Sequence, residues 1–474
     1  MRFELKDNKL QVNALSLEGE GWVAMPDDRI DMDVVLRAPD NSFAALFSLV
    51  PGAFIEGYER VQAGGTFNFS ASAKGTFDSA AHTWPALDVR LEARDGSIRY
   101  PGMPLAIEGV RTEAHIAHPG GAPDLLTIDV RDLALKVGKS ALSGKFALRT
   151  PLSDPDLDAA LQANLDLAEW ARAFPMDGVE TLAGRFAADL VARARLSQIE
   201  QNRLDKVDMR GTFRLQQFEW ATADMPEVEI KTMEGSLQPN VLQIKNFESQ
   251  LGRSDLRGSA TLRNLLGWFA EGRKMTGTVV LQSENFDVDE WLSDATTEAT
   301  PAATPATATE ASPTAENWAF DYDVRFNRLR YDVYVLTDLQ ARGTIAPQRL
   351  DIRSAGGRLG MSDFAASGTL TNLMNFVNYN EPLRGHLDLS GKFMDYADLV
   401  SETDGATEAT SSAAAVPDFR YDITFSGKIG QFKYDPWVLT SLTGAGRITE
   451  KEIAIERFAT RIGRSDLSGH GVIR

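Results

Sequence analysis

GRSDLRGSATLRN, Gly252 to Asn264, has three relatives in the same chain. Gly138 to Arg149 reads GKSALSGKFALR, Gly360 to Asn372 reads GMSDFAASGTLTN, and Gly463 to Arg474 reads GRSDLSGHGVIR. Their leading glycines are spaced by 114, 108 and 103 residues. A short motif recurring at a near-constant long period marks one structural unit copied along the chain. Within it, Gly allows unusual dihedrals and Ser and Asp offer local backbone hydrogen bonds. The stretch therefore reads as a turn leading into a strand.

Upstream of each copy stand two apolar residues spaced two apart: Ile128 and Val130, Leu242 and Ile244, Leu350 and Ile352, Ile453 and Ile455. That spacing puts each pair on one face of a strand. Further upstream an apolar residue precedes an aromatic by two: Ile98 and Tyr100, Phe218 and Trp220, Leu329 and Tyr331, Phe432 and Tyr434. Downstream, Asp166-x-x-Glu169, Asp287-x-x-Glu290 and Asp395-x-x-Asp398 mark a short helix. An Asp N-cap satisfies orphan N–H groups, and an acid at N3 reaches back to the cap. Trp170, Trp291 and Leu399 follow and are expected to pin the helix to the sheet.

The expected fold is mainly β. It is a long curved antiparallel sheet of about four repeats of roughly 108 residues, five strands each, with short capping helices. Residues 1–74 read as a partial repeat with a helix over 42–61 broken near Pro51. Residues 75–174, 175–293 and 318–400 read as repeats, and 417–474 as a partial one. Residues 294–317 and 401–416 are rich in Ala, Thr, Ser, Glu and Pro, too poor in apolar area to offset ordering entropy, and read as disordered loops. Met1 falls inside a unit and Arg474 at the end of a motif strand, so the expectation is an internal or C-terminal fragment.

The net charge of −18 on 474 residues argues against nucleic acid, which is bound through Lys and Arg clusters. The absence of cysteine excludes disulfides, thiolate metal sites and Cys nucleophiles. Ser42 to Ile55, the most apolar stretch, is too short to span a bilayer. The paired carboxylates read as helix caps rather than acid–base dyads, because they recur at helix starts. His115 and His118 are expected to be a surface pair, and His82, His386 and His470 structural. Gly-x-Ser lacks the pattern of a nucleophile elbow. An enzyme is not expected, and no cofactor or metal is called for.

One short helix per repeat does not cover five strands, so the sheet either packs on a second sheet or curls on itself. A trough with an apolar floor and a closed sandwich both satisfy this pattern.

The order of segments resembles the AsmA family of bacterial envelope proteins. Ala44 to Phe77, Ile98 to Gly121, Leu148 to Leu161 and Ser249 to Leu265 carry the likeness. The resemblance implies a taco-like β-groove whose apolar interior shields phospholipid acyl chains. It implies a periplasmic location, an N-terminal inner-membrane anchor, and a role in lipid traffic between the inner and outer membranes and in outer-membrane assembly. Envelope proteins at the bridge ends are implied partners. On this reading Ile128, Val130, Leu242, Ile244, Leu350, Ile352, Ile453 and Ile455 line the groove. Leu142, Leu256, Phe364 and Leu467 are second choices, because the turn before them could place them on the other face. The alternatives are a structural or adhesive β-repeat protein with a dry core and protein partners, and a β-solenoid enzyme acting on polysaccharide. The long period counts against the last.

Overall fold

The computed structural model describes residues 1–12, 15–43, 45, 62–99, 104–174, 176, 178–201, 203, 206–223, 225–265, 274–292, 317–379, 381–399 and 420–473. The expected helix over 42–61 and the expected loops 294–317 and 401–416 lie almost wholly outside these residues, as does Tyr100. The described residues form 25 strands and a few short helices, the mainly β architecture expected. Two compact units are present: Met1–Trp220 with Glu234–Asn240, and Ala221–Met233 with Val241–Arg474.

The first unit contains β1 (Arg2–Val12), β2 (Leu15–Ala24), β3 (Ile30–Ser42), β4 (Gln62–Phe77), β5 (Trp84–Arg99), β6 (Ile107–Gly121), β7 (Thr127–Val137), β8 (Ser140–Arg149), β9 (Asp156–Asp166) and β10 (Val179–Arg195). Each pairs antiparallel with the one before it. β11 (Asp208–Thr222) and β12 (Met225–Gln238) fall at the division.

The second unit continues with β13 (Val241–Leu251), β14 (Ser254–Arg263), β15 (Met275–Ser283), β16 (Phe286–Asp287), β17 (Trp318–Tyr331), β18 (Tyr334–Ala346), β19 (Arg349–Leu359), β20 (Ser362–Thr371), β21 (Leu383–Asp395), β22 (Tyr421–Tyr434), β23 (Trp437–Thr449), β24 (Ile453–Ile462) and β25 (Ser465–Ile473). Neighbours are antiparallel except at two joints, where β15 and β16 run parallel to β17, and β21 to β22. Sequence reasoning missed these joints. Antiparallel strands close through a hairpin, whereas parallel strands need a connection of a dozen or more residues. The Ala- and Thr-rich segments sit at these joints, between Leu292 and Asn317 and between Leu399 and Arg420, and supply that length.

The repeat is visible in the strand register. The pairing slips between Val130 and Leu133, Ile244 and Phe247, Ile352 and Ala355, and Ile455 and Phe458. Each slip is a β-bulge just after the apolar pair. A bulge bends its strand, raises the local twist and shifts side-chain parity by one. Leu133, Leu135 and Val137 therefore stay on the face of Ile128 and Val130, as their partners Gly144, Leu142 and Ser140 require.

The Gly-x-Ser motif and the helix start form one lock. Gly138, Gly252, Gly360 and Gly463 have φ of 58°, 56°, 58° and 59°, the left-handed region where Gly carries no Cβ penalty. Glu169, Glu290 and Asp398 accept hydrogen bonds from the turn N–H groups of Lys139, Arg253 and Met361 at 2.5, 2.9 and 2.9 Å. These acids were expected to reach back to their own caps, and instead they cap the neighbouring hairpin. The motif serines Ser140, Ser254 and Ser362 are buried, and their Oγ atoms accept from the N–H of Asp166, Asp287 and Asp395 at 2.9, 2.9 and 2.8 Å. Ser and Asp in the motif thus bond across about thirty residues of chain, not within the turn as expected. The cap half of the expectation holds at Asp166, which accepts from Glu169 N–H at 3.1 Å. At the third helix Leu399 is 39% exposed, and the Tyr396 ring lies 6.5 Å from the Phe432 ring of the neighbouring strand.

Candidate functional site

Directly opposed residues on neighbouring strands share a sheet face, so register pairs trace that face strand by strand. In the first unit one row runs Ala38, Phe69, Leu91, Ala114, Val130, Phe146, Ala159, Ala192. In the second, one row runs Ile244, Ala260, Val279, Tyr322, Gly343, Ile352, Gly368, Leu387, Phe425, Gly446, Ile455. Each unit therefore presents one continuous apolar face. The paired strands of the second unit, β13 to β25 without β16, make it on the order of 50 Å across at about 4.8 Å per strand.

Every residue expected to line the groove lies on this face. Ile128, Val130 and Leu142 do so in the first unit. Leu242, Ile244 and Leu256, then Leu350, Ile352 and Phe364, then Ile453, Ile455 and Leu467 do so in the second. The second-choice residues share the face because the bulge restores parity: Leu142 opposes Leu135, and Phe364 opposes Gly357. Val130 is buried and Leu467 is 44% exposed, on the edge strand; the other ten are half-buried.

Sequence reasoning missed the largest contributors. Trp318, Phe320, Tyr322, Val324 and Phe326 alternate along β17 with Ala, Asp and Arg, a period-2 signal in plain view. A repeated aromatic-on-glycine pair was also missed. A Cβ added to Gly343 would meet the Tyr322 ring, one at Gly446 the Phe425 ring, and, in the first unit, one at Gly235 the Phe213 ring.

The other face is polar and ion-paired. Arg342 contacts Asp323 at 2.9 Å, Arg193 contacts Asp158 at 3.1 Å, and Arg353 contacts Asp321 at 2.6 Å. Asp363 takes N–H bonds from Lys392 and Phe393 at 3.0 and 2.8 Å, and these hold its carboxyl below the usual carboxylate range. Burial opposes ionisation of Asp255, but the N–H groups of Glu284 and Asn285 and the Ser283 hydroxyl outweigh it, and that carboxyl is also lowered.

The two faces differ in what covers them. The first unit has a small core of Leu15, Ala38, Phe43, Ala45, Phe67 and Ala93 over part of its apolar face. Among the described residues of the second unit, no large apolar side chain is buried. Leu161 and Leu389 sit on the face in mid-strand and are each 38% exposed. A cavity of about 780 Å³ crosses β19 to β24, with Ala355, Ala366, Gly427 and Gly444 among its lining residues beside Arg353, Asp388, Lys428 and Arg457.

The histidines make no metal site, and the described residues contain no group of three or more potential metal ligands. His115 lies 2.9 Å from Asp88 on the polar face. His118 is not the surface residue expected. It is 2% exposed, its Nε2 lies 2.8 Å from Ala122 O, and its Nδ1 lies 3.0 Å from Pro85 O and 3.1 Å from the Gly120 nitrogen. Three residues apart on a strand, the two rings point to opposite faces. No described helix is long and apolar enough to cross a membrane. No protein-family model, curated protein or solved structure matches the chain.

Proposed function

We propose that this chain is a non-enzymatic, AsmA-like protein of the bacterial envelope that holds phospholipid acyl chains on its apolar sheet face. Its place is the periplasm, and its role is lipid movement between the inner and outer membranes in outer-membrane biogenesis. The observation that carries this reading is the apolar face of the second unit, twelve strands in succession on which, among the described residues, no large apolar side chain is buried. A face of that extent exceeds the few hundred Å² that proteins usually leave exposed, and it marks an interaction site.

The mechanism is physical. Each methylene laid on the face gains about 0.8 kcal/mol. A row of apolar residues interrupted by Gly343, Gly368 and Gly446 offers many similar positions and no deep trap, so a chain slides along it. Headgroups stay in water at the open side. The rival reading is a structural or adhesive repeat with a dry core, and it requires apolar residues that are fully buried. Among the described residues of the second unit, no Ala, Val, Ile, Leu, Met or aromatic side chain is buried. Native mass spectrometry of the chain purified from a bacterial envelope extract, with lipid extraction of the same sample, tests the proposal. Several phospholipids per chain are expected; a folded chain that carries none sinks it.

A further inference from the structure

Six exposed apolar side chains of the second unit lie together at one end of its strands, while Leu389 is in mid-strand and Val472, 55% exposed on the edge strand, is at the other end. Val333, Met361, Tyr396, Leu399, Tyr434 and Trp437 are 55, 76, 43, 39, 49 and 54% exposed. All lie in or beside the turns that join β17 to β18, β19 to β20 and β22 to β23, or in the helix Tyr396–Leu399 after β21. They form one strip. The Tyr334 hydroxyl, next to Val333, donates to Leu399 O at 3.3 Å. Met361 N–H donates to Asp398 in that helix at 2.9 Å. The Tyr396 ring lies 4.9 Å from Tyr434, which pairs across its turn with Trp437. At the other strand ends, the turns at Pro347–Gln348 and Glu450–Lys451 carry no exposed large apolar residue.

The charges along the strip identify its partner. Asp398 is occupied by the N–H groups of Met361 and Ser362, and Asp395 by Lys433 at 2.9 Å. What remains at the turn tips is exposed Asp332 and Asp435, with exposed Arg464 in the adjoining turn after β24. Two carboxylates and a guanidinium around aromatic residues complement headgroups that carry both an ammonium and a phosphate. Tyr and Trp, apolar in the ring and polar at the edge, favour the membrane–water interface. The net charge of −18 opposes adsorption to an anionic surface. We infer that this rim is a membrane-contact edge that seats on zwitterionic phospholipid headgroups. It goes beyond the lipid-holding reading, because it needs the strand ends and not the sheet face.

Flotation of the full chain with phosphatidylcholine vesicles and with phosphatidylglycerol vesicles tests it. The unchanged chain is expected to float with the first and less with the second. Tyr434→Ser with Trp437→Ser should weaken partitioning at least tenfold at an unchanged thermal midpoint. Val333→Ser with Met361→Ser, in two other turns, should do the same and guards against a local folding defect. Uptake of a fluorescent fatty acid by the same proteins reads the apolar face separately and should not change. Failure of the unchanged chain to float on phosphatidylcholine overturns the inference, as does stronger binding to phosphatidylglycerol or full flotation of both double variants. A chain that floats yet takes up no fatty acid leaves the rim standing and removes the lipid-holding reading alone.

Discussion

Gly360 and Gly463 share a φ near 58° but not an environment. A Cβ at Gly360 would collide with the Asp398 carboxylate, whereas one at Gly463 meets nothing within 4 Å. Gly463→Ala should therefore cost only the left-handed penalty, about 1 kcal/mol. Gly360→Ala should cost more, about 2–3 kcal/mol, because it also breaks the lock. Urea denaturation of the two variants checks the order, and equal losses would show that the lock contributes nothing. On the apolar face, Ile244→Asp with Ile352→Asp asks whether that face is open to water. Both residues are half-buried on an uncovered face, so the pair should abolish most lipid co-purification and leave the thermal midpoint within a few degrees. In a dry core, two unpaired charges would unfold the unit.

At the scale of elements, the joint between a hairpin and the next helix is the repeated unit of cohesion. Glu290 accepts from the Arg253 N–H, the Asp287 N–H donates to Ser254 Oγ, and the Asp287 carboxylate holds the Arg253 guanidinium at 3.1 Å. Glu290→Gln should lower stability by about 1–2 kcal/mol, the worth of a hydrogen bond to a charged acceptor. Faster hydrogen exchange at the Arg253 amide is the direct readout; unchanged exchange would refute the lock. Two other motif carboxylates, Asp255 and Asp363, set an acid sensitivity. Asp255 and Asp363 have folded pKa values below the usual value of about 3.9. A depressed folded pKa contributes stability that is fully present above the unfolded value and is lost as pH falls through the folded one. Unfolding should thus be steepest below about pH 4, and Asp255→Asn with Asp363→Asn should flatten that slope in acid titrations followed by circular dichroism.

At the scale of the whole molecule, the parallel joints dictate what the low-complexity segments must do. β21 and β22 start at the same end, so the chain leaving Leu399 has to return along their length before Arg420. Thirteen residues of strand span about 43 Å, and a four-residue connection reaches about 14 Å. Replacing residues 401–416 by nothing should therefore break the pairing of β22 with β21, seen as loss of exchange protection at the amides these two strands direct at each other. Replacing them by a Gly/Ser segment of equal length should leave it intact, because only reach is demanded.

The repeat, the strand content and the shared sheet face of the apolar pairs Ile128/Val130, Leu242/Ile244, Leu350/Ile352 and Ile453/Ile455 were legible in the sequence, because period-2 alternation and a recurring Gly-x-Ser turn are local patterns. Even Leu142 and Leu256 were within reach, but their face was not, since it hangs on a bulge between strands. The alternating β17 run, from Trp318 to Phe326, was equally local and was overlooked because it stands outside the repeated motif. The tertiary structure alone decided the rest. Glu169, Glu290 and Asp398 cap turns that lie thirty or more residues away. β21 runs beside β22 in parallel, and His118 is buried. These depend on which strands come together, and no spacing along the chain encodes the partner that a carboxylate, a strand edge or an imidazole will meet across a sheet.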